Sequence, residues 1–225
     1  RVLTDAELKA LWAALGDPSK LKDKAGEAAT VGRPMRIALQ LAALLLQRRA
    51  EIAGMAVAEL NLEEAVWLIP GARAKNGKPH LVPLPPRAVV LIREAIRLAN
   101  EGREEPSPYV FPSRHKAQAF RPDSLTHAMA DLTDALGIEG VSPHDLRRTG
   151  STALTSERIG VSPFIRSKVL GHTSDAGGGS AVSAAHYDAN EYVAEKRRGL
   201  EAWEGLLLQV VGERPRASNV TPLIA

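Results

Sequence analysis

Ser142-Pro143-His144-Asp145-Leu146-Arg147-Arg148-Thr149 sets a histidine and two arginines into the opening turns of what reads as a helix. Serine suits the N-cap, and proline fits the first helical position, where its missing N–H is no loss. Residues three apart share a helical face, so His144 and Arg147 project together. They do so from a helix N-terminus, where unpaired backbone N–H groups already favour an anion. A histidine donor beside an arginine fork at such a place suits a phosphate. His-x-x-Arg also arises by chance in many helices, so its weight depends on what else the chain supplies.

Downstream, the helix opened by Ser142-Pro143 runs to about Arg158, and Ser162-Pro163 opens another through Leu170. Gly171-His172 follows, then a loop over 171–185 containing Gly177-Gly178-Gly179-Ser180, a stretch too flexible for a packed element. Residues 190–211 read as a long amphipathic helix, and from Gly212 the tail is polar and broken by proline. Upstream, Thr4-Asp5-Ala6-Glu7 forms a capping box ahead of Leu8, Leu11, Trp12 and Leu15. Gly16-Asp17-Pro18 stops that helix, 20–32 is a polar connection, and Pro34 starts an apolar helix through Leu46. Residues 51–60 are short and broken by Gly54. Segments 65–69 and 80–84 flank Lys75-Asn76-Gly77-Lys78, and Asn-Gly is a strong hairpin signal. Pro83, Pro85 and Pro86 mark an edge strand followed by a helix from Arg87 to Asn100. Asp123 or Ser124 caps a helix reaching Leu136, closed by Gly137. The expected fold is mainly α with a small antiparallel β-sheet (α+β), without internal repeats.

With 225 residues and 44% apolar content, the chain can bury a sizeable core. Its formal charge of +3 is compatible with nucleic acid without requiring it. Arginine, the planar fork suited to phosphate, makes up 20 of the 29 basic residues, although a GC-rich genome produces the same bias. The absence of cysteine excludes disulfides, a thiolate nucleophile and cysteine-ligated metals. Missing metal-ligand spacings, P-loop and Gly-x-Ser-x-Gly disfavour metal hydrolases, NTPases and serine esterases. No cofactor and no metal are therefore expected. The longest greasy run, 39–46, falls short of the ~18 residues of a membrane span, and Arg48 and Arg49 end it. With no apolar leader, a cytoplasmic location is expected. The chain also begins without methionine, which suggests a piece of something longer.

Other polar groups stand out singly. Glu51, three residues after Arg48, can hold that guanidinium in one orientation. Lys75 sits at the hairpin tip, from which a side chain can reach into a groove. His172 ends a helix, where it also complements the dipole. Tyr187 and Tyr192 lie just before and within the last helix. At helical spacing from Leu200 and Trp203, Tyr192 reads as a core anchor.

Taken in order, Arg48, Lys75, His144-x-x-Arg147, Gly171-His172 and Tyr187 resemble the catalytic domain of the tyrosine recombinase (phage integrase) family. The wording around them is similar too: Arg-Arg-Ala-Glu-Ile at 48–52, Ala-Lys-Asn-Gly-Lys-Pro-His-x-Val-Pro-Leu at 74–84, and Val-Leu-Gly-His at 169–172. His-Tyr-Asp-x-x-x-Tyr-x-x-Glu-Lys-Arg at 186–197 completes it. The resemblance covers about residues 1–205. It implies a tyrosine recombinase catalytic-domain fold over 1–211, a tail at 212–225, and a separate N-terminal DNA-binding domain outside this chain. It implies double-stranded DNA as substrate, cut and rejoined through a covalent 3′-phosphotyrosine, with a homo-tetramer on DNA and no membrane.

The same resemblance assigns roles. Tyr187 is the nucleophile, Arg48 and Arg147 clamp the non-bridging oxygens, and His172 adds a further hydrogen bond. Lys75 protonates the leaving 5′-oxygen, His144 assists the proton transfer at the tyrosine, Glu51 orients Arg48, and Arg148 binds substrate beside them. Three positions depart from the pattern. Leu45-Leu46 put helix formers where the family turns on Thr-Gly, which bears on where Arg48 stands. Ala50 replaces a usual glycine. The interval from His172 to Tyr187 is longer than usual, which keeps Tyr192 as a minor candidate nucleophile. Two rival readings are a DNA-binding accessory module of the same fold without catalysis and a non-covalent phosphodiester hydrolase.

Overall fold

In the computed structural model, which describes residues 1–19, 21, 31–113, 118–172 and 192–213, Thr4 caps the first helix as its sequence demands. Its hydroxyl oxygen accepts from Glu7 N at 3.2 Å, while the Glu7 carboxylate takes Thr4 N at 2.8 Å. Helix α1 (Asp5–Gly16) then buries Leu8, Leu11, Trp12 and Leu15. Helix α2 (Arg33–Leu45) is buried continuously from Ile37 to Leu45. A helix apolar all round belongs in a core, and α2 is packed on by α1 and by α3 (Arg49–Ala53), α4 (Pro86–Asn100), α5 (Pro122–Ala135), α6 (Pro143–Thr155) and α8 (Val193–Val211). The short α7 (Pro163–Val169) lies between α6 and α8.

The sheet is antiparallel, ordered β1 (Leu60–Asn61), β2 (Val66–Ile69), β3 (His80–Pro83). As expected, β3 is an edge strand, which tolerates Pro83 at its end. Strands β2 and β3 fall within the 65–69 and 80–84 segments expected to pair, and their register sets Ile69 opposite His80. Residues 70–79 link them through turns begun by Arg73 N and Ala74 N donating to Pro70 O. Strand β1 is an addition, since two residues carry no periodicity of their own.

Several helix ends move by a turn or less. Helix α5 begins at Pro122 with Arg121 as N-cap, so Asp123 and Ser124 lie inside its first turn. Helix α6 stops at Thr155 on an extended Ser156, short of Arg158. Helix α8 starts at Val193 because Tyr192 has φ 50, a left-handed backbone. Tyr192 is no core anchor: its half-buried ring meets Phe164 edge-on at 5.1 Å. The core of α8 is Leu200, Trp203, Leu207 and Leu208, with Trp203 Nε1 donating to Ala43 O at 2.8 Å.

Most of the 20–32 connection, the glycine run at 177–180, Tyr187 and the tail beyond Glu213 lie outside the described residues. Among the described residues, no helix is long and apolar enough to cross a membrane.

Candidate active site

Where α2 ends, Leu46 adopts φ 56, ψ 25. The left-handed conformation costs a side-chain-bearing residue about 1–2 kcal/mol, but a fully buried leucine returns about 1.5–3 kcal/mol, and Leu46 is fully buried. Burial wins, and the chain turns here despite its helix formers. The Leu46 side chain fills the space over α6 at Gly150, where an added Cβ would lie 2.2 Å from Leu46 Cδ2. The turn delivers Arg48 as the N-cap residue of α3.

Glu51 holds Arg48 twice, accepting from its backbone N at 2.8 Å and from Nη1 at 2.9 Å. The Glu51 side chain is 3% exposed, whereas that of Arg48 is 25% exposed. The carboxylate is thus a buried anchor, and the guanidinium above it faces outward. Among the described residues, nothing else takes the remaining Arg48 donors.

Arg147, from the second turn of α6, is 4% exposed. Its Nη1 donates to Leu46 O at 2.6 Å and its Nη2 to Leu170 O at 2.7 Å. Nη2 also lies 3.2 Å from His172 Nε2. A guanidinium only donates, so that contact needs the lone pair of Nε2 and puts the imidazole proton on Nδ1. These three partners leave about two of the five guanidinium N–H groups for a ligand. Burial, then the nearby charge of Arg48, lowers the Arg147 pKa to about 10, with Glu51 acting the other way. Arg48 lies near enough for its charge to be felt at Arg147, and two neighbouring guanidiniums favour an anion beside them.

His172 closes the group. Gly171, at φ 58, turns the chain out of α7, and His172 N donates to Ser167 O at 3.0 Å. Burial and then Arg147, Arg48 and Arg166 hold the imidazole below its ordinary pKa. His144, on the exposed side one turn before Arg147, is likewise held down by partial desolvation and then by the charges of Arg147 and Arg148. Arg48, Glu51, Arg147 and His172 therefore come together, with His144 electrically coupled to them. Lys75 does not join them: it is exposed in the 70–79 connection, with no partner among the described residues. Arg148 is exposed too and leans on Asp145, 3.8 Å away. Among the described residues, no three His, Asp or Glu side chains converge to hold a metal.

Two site residues escaped the sequence. His80, first in β3, has Nε2 3.3 Å from Val169 O, and its ring lies against Gly171, where an added Cβ would be 3.1 Å from His80 Cδ2. Burial, and then Lys196, pushes its pKa down to about 4. Gln47, 2% exposed, donates from Nε2 to Leu45 O at 2.7 Å and to Val169 O at 3.0 Å. The only signals were a histidine inside the quoted hairpin stretch and a polar residue straight after an apolar run.

The sequence profile of the Phage integrase family matches residues 1–177, from before α1 to just past His172. The chain belongs to the phage integrase family of tyrosine recombinases. Prophage integrase IntA of Escherichia coli (strain K12) is 32% identical over 165 residues, covering 73% of this chain and 36% of IntA. The chain thus matches little more than a third of that relative's length. Among solved structures, the integrase from mycobacterium phage Brujita aligns with a TM-score of 0.62 at 19% identity, covering 95% of this chain and 63% of that one. XerH recombinase, solved bound to its difH substrate, aligns at 0.59 and 18% identity, covering 77% of this chain and 47% of that one. At such identities the likeness concerns the fold. The mainly helical architecture with its small antiparallel sheet is that of tyrosine recombinase catalytic domains.

Proposed function

We propose that this integrase-family chain is the catalytic unit of a site-specific DNA recombinase that integrates or excises a mobile element. The observation carrying this reading is that Arg48 and Arg147, with donors to spare, come together with His172 beside the buried carboxylate of Glu51. Such donors suit a phosphodiester whose charge grows in a pentacoordinate transition state.

In this reading the ligand is double-stranded DNA. Tyr187 Oη attacks the scissile phosphorus, a 3′-phosphotyrosine bond forms, and the bond to the 5′-oxygen breaks. His144 assists removal of the tyrosine proton, and Lys75 supplies a proton to the departing oxygen. Rejoining is the reverse, so bond energy is kept in the covalent intermediate and no cofactor is required. Arg48 and Arg147 hold the non-bridging oxygens. When the phosphate takes the Arg147 donor, His172 Nε2 is released to bind a proton and donate as well. Arg148 contacts DNA outside the cluster. Residues 1–211 form the catalytic domain of a longer, DNA-associated bacterial cytoplasmic protein that binds DNA with a second domain and works as a tetramer.

A nicked suicide duplex, whose freed end diffuses away after cleavage, tests this. The chain is expected to form a covalent protein–DNA adduct that disappears in Tyr187→Phe and persists in Tyr192→Phe. The reverse pattern moves the nucleophile to Tyr192, and cleavage without adduct favours a hydrolase. Sequence-specific DNA binding without cleavage makes the chain an accessory module.

A further inference from the structure

Two neighbouring carbonyls at the end of α2, Leu45 O and Leu46 O, are joined to two neighbouring carbonyls at the end of α7, Val169 O and Leu170 O. Arg147 spans Leu46 O and Leu170 O at 2.6 and 2.7 Å. Gln47 spans Leu45 O and Val169 O at 2.7 and 3.0 Å. Arg48 follows directly from one of these backbone segments and His172 from the other. Carbonyl oxygens repel across such a gap unless donors stand between them, so two donor side chains set its width.

The Gln47 amide is buried at 2% exposure, and among the described residues its Oε1 has no hydrogen-bond partner. Turning the amide over would set that oxygen against two carbonyls, so the orientation follows from chemistry. Fold stability alone gains little here, because a buried unpartnered acceptor offsets what the N–H bonds contribute. What the amide does supply is a fixed distance between the segments bearing Arg48 and His172.

We propose that Gln47 is a positioning residue for the phosphate clamp, setting the spacing of Arg48 and His172 through the Leu45 and Val169 carbonyls. The proposal rests on the recombinase reading of the same site. Its test uses the whole chain and Gln47→Met, which keeps the side-chain length, removes the donor and removes the orphaned oxygen. Two measurements are made: the single-turnover rate of adduct formation on the suicide duplex, and the affinity for inorganic phosphate read from the His172 imidazole NMR signals.

With folding intact by thermal melting, Gln47→Met is expected to slow adduct formation roughly 10–100-fold, as misplacement by about an ångström does. It is also expected to weaken phosphate binding at His172 at least about fivefold, a shift of roughly 1 kcal/mol. Wild-type values in both measurements overturn the proposal. A wild-type chain that makes no adduct sinks the recombinase reading, and the phosphate titration then decides for or against Gln47 by itself. If Gln47→Met does not fold, Gln47→Asn, one methylene short of Val169 O, carries the same expectations and the same overturning result.

Discussion

Leu46 and Gly150 are a matched pair. The leucine bends left-handed to turn the chain towards Arg48, and the glycine leaves room for its side chain. Gly150→Ala puts a methyl 2.2 Å from Leu46 Cδ2 and 3.0 Å from Trp203 Cε2. Overpacking of that kind costs about 1–3 kcal/mol, and a lowered denaturant midpoint is expected; an unchanged midpoint would show that Leu46 can step aside. His80 gives a pH dependence. Half-buried against Val169 and Gly171 and near the Lys196 charge, it titrates near pH 4 when folded, against about 6.5 when unfolded. Between these values the unfolded chain binds the extra proton. Its contribution is therefore intact above about pH 6.5 and lost as the pH falls towards 4, by roughly 3 kcal/mol at most. His80→Gln keeps an N–H for Val169 O and should flatten the stability slope over that window in denaturant titrations. A wild-type slope in His80→Gln would assign the titration elsewhere.

At the scale of elements, what was legible in the sequence was local. The Thr4–Glu7 box, Pro163 after Ser162 and the apolar run of α2, interrupted only by Gln40, each declare themselves within a few residues. Strand β1, the register of β2 on β3 and the turn at Leu46 do not, because each depends on a partner brought from elsewhere in the chain. Arg48, Glu51, Arg147 and His172 could be named from their order, but the carbonyl ladder through Gln47 and His80 could not. Its acceptors belong to α2 and α7, far apart in sequence. In the proposed mechanism the 70–79 connection carries the acid. Arg73 ties its base to Glu59 at 2.8 Å through both Nε and Nη2, and to Glu51 O at 3.3 Å, while Lys75 two residues on is exposed. A tethered base with an exposed lysine suits a proton donor that meets its target only when DNA is bound. Lys75→Ala is expected to slow cleavage on the order of 10²–10⁴-fold. The loss should largely vanish on a duplex whose bridging 5′-oxygen is replaced by sulfur, a leaving group that needs no proton. An equal loss on both duplexes would remove Lys75 from the role of acid.

At the scale of the whole molecule, α2 is the hub that makes the site. Its end supplies the Leu46 turn, and its flanks seat α6, which brings Arg147, and α8, whose Trp203 is bonded to Ala43 O. The end of α7 is tied to that same end of α2 through Gln47 and Arg147, and α3 starts beside it. This convergence is the physical content of the claim that Arg48, Arg147 and His172 clamp one phosphate. Arg48→Lys tests it most directly, because lysine keeps a charge for Glu51 but, as a point charge, cannot hold the carboxylate and a phosphate oxygen in a fixed fork at once. Measured as single-turnover adduct formation on the suicide duplex, Arg48→Lys should fall on the order of 10²–10³-fold with its melting temperature and DNA affinity nearly unchanged. Adduct formation at the wild-type rate would contradict the clamp.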